Sequence, residues 1–328
     1  MEINFLTVFI AVISLVILAV PGFILAKAKM FSAKADDAIS VIVMYVSQPV
    51  LIFMSFQETY NKEIAKNIGF VALLSIAVHI LMFLVIALFI KNKSKSAKIK
   101  TVRYSSLFGN CGYMGLPFLN IVFNGAGEII IYAAIVIAIF NIFNWTLGVY
   151  MLSENKKYVS IKSILLNPTI ISIIIGALYF FTIGAPIVSF AEEGTQLHFA
   201  LQKIMASIDI VGDLVTPLSM TVIGIRLANV KLKELLFDKW AYVTCFFKLI
   251  IMSVLTILLV AFLPIDKVVK YVIFFVYSMP SATSTVMFSL RFGGDANSGS
   301  VFVLLSTIFS ILTIPLMYLL MSGVFVPM

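Results

Sequence analysis

Charge is scarce in this chain. Asp, Glu, Lys and Arg make up 12% of its 328 residues, against about 25% in a soluble globular chain. Hydrophobic residues make up 62%, and mean hydropathy is +1.11. The longest polar loops are roughly a dozen residues, too short for a soluble domain. The composition is that of an integral membrane protein, and any function must lie in the membrane part. Histidine and cysteine are also scarce, two of each. Neither His79 nor His198 lies in an H-E-x-x-H run, which excludes that class of membrane metalloprotease. A rhomboid-like serine site would have only His79 as a base. Intramembrane aspartyl proteases carry their acids on neighbouring helices with a G-x-G-D run. Asp209 and Asp213 share one segment, and Asp213 follows Ile210-Val211-Gly212. Cys111 and Cys245 fall inside apolar runs, which argues against a disulfide framework. No enzyme, metal site or cofactor is expected beyond a coupling H⁺ or Na⁺.

The net charge of +8 comes from short loops between apolar runs rather than from a nucleic-acid surface. The first apolar run is as long as a full span and is preceded by Glu2 rather than a basic stretch. It reads as a span, not a cleaved leader. Ten spans are expected: 5–25, 38–56, 67–90, 104–123, 129–152, 164–182, 203–226, 240–262, 270–290 and 300–322. The odd-numbered loops then hold 17 of the 23 basic residues, including Lys34, Lys93, Lys231 and Lys233. The even loops hold 5, and Lys248 alone lies within a span. This bias puts the odd loops, with the basic stretch 91–103, in the cytoplasm and both termini outside. The Lys/Ile-rich composition points to a bacterial inner membrane.

Five spans precede the middle loop and five follow it, so any internal repeat is inverted. The expected organisation is a first repeat at 1–152, a cytoplasmic linker at 153–163 and a second repeat at 164–328. A constant offset supports it. Pro49 and Pro217 are 168 residues apart, and Cys111 and Pro280 are 169 apart. Phe123 and Phe292, each followed by a Gly-containing turn, are also 169 apart.

Two of the spans carry helix-breaking runs. Span 4 has Gly109, Asn110, Cys111, Gly112, Tyr113, Met114, Gly115 and Pro117; span 9 has Pro280, Ser281, Thr283, Ser284 and Thr285. Unwound backbone at membrane depth is tolerated only inside protein or against a watery cavity. Paired interruptions in two halves mark a transporter's binding site. Each break exposes a half-helix N-terminus with free N–H groups and partial positive charge, which favours an anion such as a carboxylate. The plain alternative is kinked, closely packed spans whose hydroxyls satisfy freed backbone groups.

The run Asn110-Cys111-Gly112-Tyr113-Met114-Gly115-Leu116-Pro117 resembles the N-x-x-x-M-G-(I/L)-P motif of the auxin efflux carrier family, which includes plant PIN-type auxin exporters and bacterial malate or malonate permeases. Length, span count, the basic third loop and the prolines of spans 2 and 7 agree with it. The resemblance implies an all-α membrane fold of ten spans, a 5+5 inverted repeat with broken, crossing spans 4 and 9, as in NhaA-like antiporters and bile-acid symporters. It implies elevator or rocking transport, Asn110 on the substrate carboxylate, and a homodimer. The large central loop of the plant carriers is missing here, which weakens transfer of auxin as substrate.

The substrate-binding candidates are therefore Asn110, Cys111, Gly112, Tyr113, Pro117, Pro280, Ser281, Thr283 and Ser284. Gln48 and Pro49 in span 2, and Thr216 and Pro217 in span 7, are candidates to line or support the crossover. Asp209 and Asp213 share one face of span 7 at i and i+4, with Asp213 roughly 15 Å deep. Lys248 in span 8 lies at similar depth. These three are candidates for a coupling ion or proton, or for a structural Lys248–Asp213 pair; Lys248 alternatively snorkels to the interface. His79 reads as a packed histidine, with a proton relay as the alternative, and His198 as inert. Arg291 and Asp295 read as an interfacial pair, with gating as the alternative. The reading is a secondary transporter of a small organic carboxylate. A passive channel or a non-transporting sensor remains the alternative class.

Overall fold

The computed structural model describes residues 3–32, 35–91, 95–229 and 237–325, and all of its regular structure is helical. Lys34, Lys93, Lys231 and Lys233, counted above in the loops, lie outside the described residues. The helices are α1 (Phe5–Lys27), α2 (Ala35–Ser55), α3 (Lys62–Phe89), α4 (Ala97–Leu107), α5 (Cys111–Val122) and α6 (Gly127–Ser153), followed by α7 (Pro168–Thr182), α8 (Gln196–Asn229), α9 (Lys239–Ala261), α10 (Lys267–Ser278), α11 (Ser284–Phe292) and α12 (Ala296–Phe325).

Among the described residues, 7 helices are long and apolar enough to cross a bilayer, or 8 when the bent pair Lys156–Leu165 and Pro168–Thr182 counts as one. Segments 4 and 9 of the sequence reading are each two short helices, α4 with α5 and α10 with α11. Neither member of a pair is long enough to cross alone.

The breaks follow from backbone chemistry. Proline removes a donor, and its ring collides with the carbonyl of the preceding turn. Before Pro49 and before Pro117 the chain widens into a π-turn, at Val43–Ser47 and Cys111–Gly115, which moves that carbonyl aside. In α8 the adjustment is a turn at Leu214, ahead of Pro217. Asn4, Asn61, Asn167 and Thr195 cap the N-termini of α1, α3, α7 and α8 with their side-chain oxygens.

Leu6, Ile17, Leu73, Leu84, Leu88, Leu178 and Leu312 are exposed along the outer faces. So much exposed apolar side chain fits a bilayer and not water. Inside, α5, α6, α10 and α12 form the core, with Phe118, Tyr132, Phe274, Phe275 and Phe302 fully or almost fully buried. α1 lies tightly against the second half of α8: a Cβ on Gly22 would strike the Thr221 backbone, and one on Gly224 the Ala19 carbonyl.

Candidate functional site

The two breaks meet. Asn110 N–H donates to the Pro280 carbonyl at 2.7 Å, and Ala282 N–H donates to the Phe108 carbonyl at 2.9 Å. Gly109 and Ser281 thereby form a single antiparallel bridge. Backbone groups freed by one break are satisfied by the other, as an interruption buried from water requires. Ser281 completes the junction. Its N–H donates to Ser306 Oγ at 3.1 Å, and its hydroxyl to the Ser105 carbonyl at 2.9 Å.

Asn110 differs from these groups. It stands at the N-cap of the π-turn, but its side chain makes no capping bond. It is 3% exposed, and its Nδ2 is buried without a partner. Such a donor is costly to leave unmet. It lines a cavity of about 1020 Å³. Cys111, Gly112, Tyr113, Thr283, Ser284 and Gln48 share that lining. The half-helices α5 and α11 both begin at the junction. The cavity runs from there to Asp36, Asn167, Asn229 and Asn297, at the ends of odd-numbered loops. Outside the lining, Phe118 packs on Phe275 at 5.0 Å, and Phe275 stacks on Tyr318 at 5.8 Å.

A family model described as membrane transport protein matches residues 7–318. The chain belongs to that family, the auxin efflux carriers. No curated protein matches the chain. Members of this carrier family are multi-pass membrane transporters, so the cavity of this carrier is a candidate transport site for a small molecule.

Some sequence-expected site residues lie elsewhere. Pro117, Pro280 and Ser281 are absent from the cavity lining. The prolines shape the break, and the Ser281 hydroxyl is engaged by Ser105. Pro49, Thr216 and Pro217 support helix bends outside the lining, while Gln48 lies close to Gly112. Asp209 and Asp213 are exposed on α8. Lys248 is fully buried on α9, where its Nζ donates to the Tyr277 carbonyl at 3.0 Å. The expected Lys248–Asp213 pair does not form, nor does Lys248 snorkel. Lys248 instead touches the junction, since a Cβ on Gly109 would lie 2.7 Å from its Nζ.

His79 is a packed histidine: Nδ1 lies 2.8 Å from the Ser75 carbonyl and 3.0 Å from the Tyr277 hydroxyl, and its ring stacks on Phe143 at 4.7 Å. Arg291 and Asp295 do not pair. Arg291 lies over Trp145 and Phe292, while Asp295 caps α12 through Ser298.

Asn144, Asp36 and Arg226 are among the lining residues that escaped sequence reasoning. Asn144 sits at a π-turn in α6, 2% exposed. Tyr104 of α4 donates to its Oδ1 at 2.5 Å, which orients the amide. The available signal was a pair of asparagines, Asn141 and Asn144, in an otherwise apolar run. Arg226 and Asp36, which no sequence signal singled out, pair at 3.1 Å within the lining.

Tyr104→Phe removes the bond that orients Asn144. Loss of one neutral hydrogen bond is about 1 kcal/mol, roughly fivefold in apparent KM. The expected result is that rise without loss of folded protein, read from transport kinetics and a melting curve on the same preparation.

Proposed function

We infer that this carrier moves a small organic carboxylate across the membrane by alternating access, with the α4–α5 and α10–α11 junction as the substrate site. The observation that carries the reading is the unpartnered, buried Asn110 amide, lining a large cavity beside two half-helix N-termini. A carboxylate accepts from the amide and is favoured by both helix ends. Read as one broken span each, the interrupted segments bring the count to ten and give two halves of five, in keeping with an inverted repeat across the 153–163 linker. The basic odd loops put the cavity mouth on the cytoplasmic side. Phe118 and Phe275, in contact at 5.0 Å and absent from the lining, support a closed opposite side. That arrangement is an inward-facing state, and a passive channel has no need of such a barrier.

Cys111 offers a direct test because it lines the cavity and is 5% exposed. In a Cys245→Ser chain, an impermeant thiol reagent should modify Cys111 from the odd-loop face. Saturating malate, malonate or indole acetate should slow that reaction. Equal reaction from both faces, indifferent to every acid, would indicate a channel.

Lys248 is the better candidate for a coupling group than Asp209 and Asp213, because it is buried and they are exposed. A buried ammonium whose hydrogen bond goes to a backbone carbonyl, with no carboxylate paired to it among the described residues, is costly and functional by default. Lys248→Met should abolish the pH dependence of transport in proteoliposomes while substrate binding persists. A pH profile identical to wild type would assign Lys248 to holding the junction alone.

A further inference from the structure

Arg226 is a cation that the junction itself does not require. It lies in the last turn of α8. Its Nη1 donates to the Thr283 carbonyl at 3.2 Å, and its Nε to Asp36 Oδ2 at 3.1 Å. The side chains of Arg226 and Asp36 are 24% and 20% exposed, and both residues line the cavity. A guanidinium carries five N–H donors in a fixed fork. Two are placed here, leaving three without a protein acceptor among the described residues.

The electrostatics are unusual. Thr283 is the N-cap of α11, so Arg226 stands at the positive end of that helix. A cation there opposes the helix field unless an anion accompanies it. Asp36 is that anion in this structure. A substrate carboxylate offers the same two oxygens and the same charge, and it matches the guanidinium fork. The released Asp36 would remain in the first turn of α2, where a carboxylate suits the helix end. The buried, unpartnered Asn110 amide lines the same cavity and supplies a further donor.

We propose that Arg226 is the specificity-determining cation of the transport site, and that Asp36 is an internal carboxylate which the substrate displaces from it. The proposal rests on the carboxylate reading above and adds the residue that reads the charge. It differs from a structural ion pair in the sign of one effect. If the pair only ties α2 to α8, loss of either charge weakens transport. If Asp36 competes with substrate, loss of its charge tightens binding.

The experiment measures KM for labelled malate, malonate and indole acetate in proteoliposomes, with melting curves for each variant. Arg226→Gln should raise KM about 10- to 100-fold, the loss expected for a charge-assisted bond. Arg226→Lys, which keeps the charge without the fork, should lie between Arg226→Gln and wild type. Asp36→Asn should lower KM several-fold, and that gain should vanish in the Asp36→Asn/Arg226→Gln double variant. A raised KM in folded Asp36→Asn, or an unchanged KM in Arg226→Gln, overturns the proposal while leaving the carboxylate reading intact. Wild-type protein that moves none of the acids overturns both.

Discussion

Asn110→Ala is expected to raise the apparent KM for the transported anion by about 10- to 150-fold while the protein stays folded. The magnitude is that of one hydrogen bond to a charged group, about 1.5–3 kcal/mol. The expectation that folding survives has a specific basis. The junction is held by backbone groups of Asn110, not by its side chain: N–H to Pro280, and carbonyl from Met114 and Gly115. The side-chain Nδ2 has no partner to lose. Removing it takes away an unsatisfied buried donor, which is neutral or stabilising for the empty protein. A polar group whose loss spares stability and costs affinity has its partner in the ligand. Equilibrium binding and a melting curve on the same sample separate the two effects. A fall in stability with unchanged KM would make Asn110 a structural residue.

Gly224→Ala should give the largest stability loss of a single added methyl group. The new Cβ would overlap the Ala19 carbonyl, and Gly22 faces the Thr221 backbone in the same contact. Backbone cannot swing away as a side-chain end can, so α1 and α8 must separate. Overpacking of this kind costs about 1–3 kcal/mol, and the upper end or beyond is expected where both obstacles are main chain. The same separation would move Arg226, two residues further along α8. Lower thermal stability together with weaker transport is therefore expected in Gly224→Ala. Gly69→Ala serves as the comparison, since a Cβ there meets nothing within 4 Å. It should be neutral or slightly stabilising in its helix.

The membrane class and the two breaks were legible in the sequence because they rest on local chemistry. Apolar run length locates a helix, and the clustering of Gly109, Gly112 and Pro117, and Pro280 with its run of hydroxyl residues, interrupts it. Asn110 was legible through its motif. What the chain could not reveal along one dimension was direction around a helix. Asp213 and Lys248 were matched by depth, yet one lies on the outside of α8 and the other inside the core beside Gly109. Depth follows from residue count; facing follows from which neighbours pack where. The same gap hid the Arg226–Asp36 pair, whose members are 190 residues apart. It hid Asn144 as well, because its orientation depends on Tyr104 from another helix. For Ser281 the sequence left two roles open, substrate contact or satisfying freed backbone. A buried break has its own carbonyls to satisfy, and the Ser281 hydroxyl donates to the Ser105 carbonyl.

Counterflow of labelled malate, malonate and indole acetate in proteoliposomes, wild type beside Asn110→Ala, tests the central claim most directly, because it registers uniport and exchange alike. The account predicts saturable counterflow of at least one acid by wild type and a KM for that acid at least about tenfold higher in the variant. Counterflow of none of them, or equal KM in the two proteins, would contradict a carboxylate site at the paired breaks.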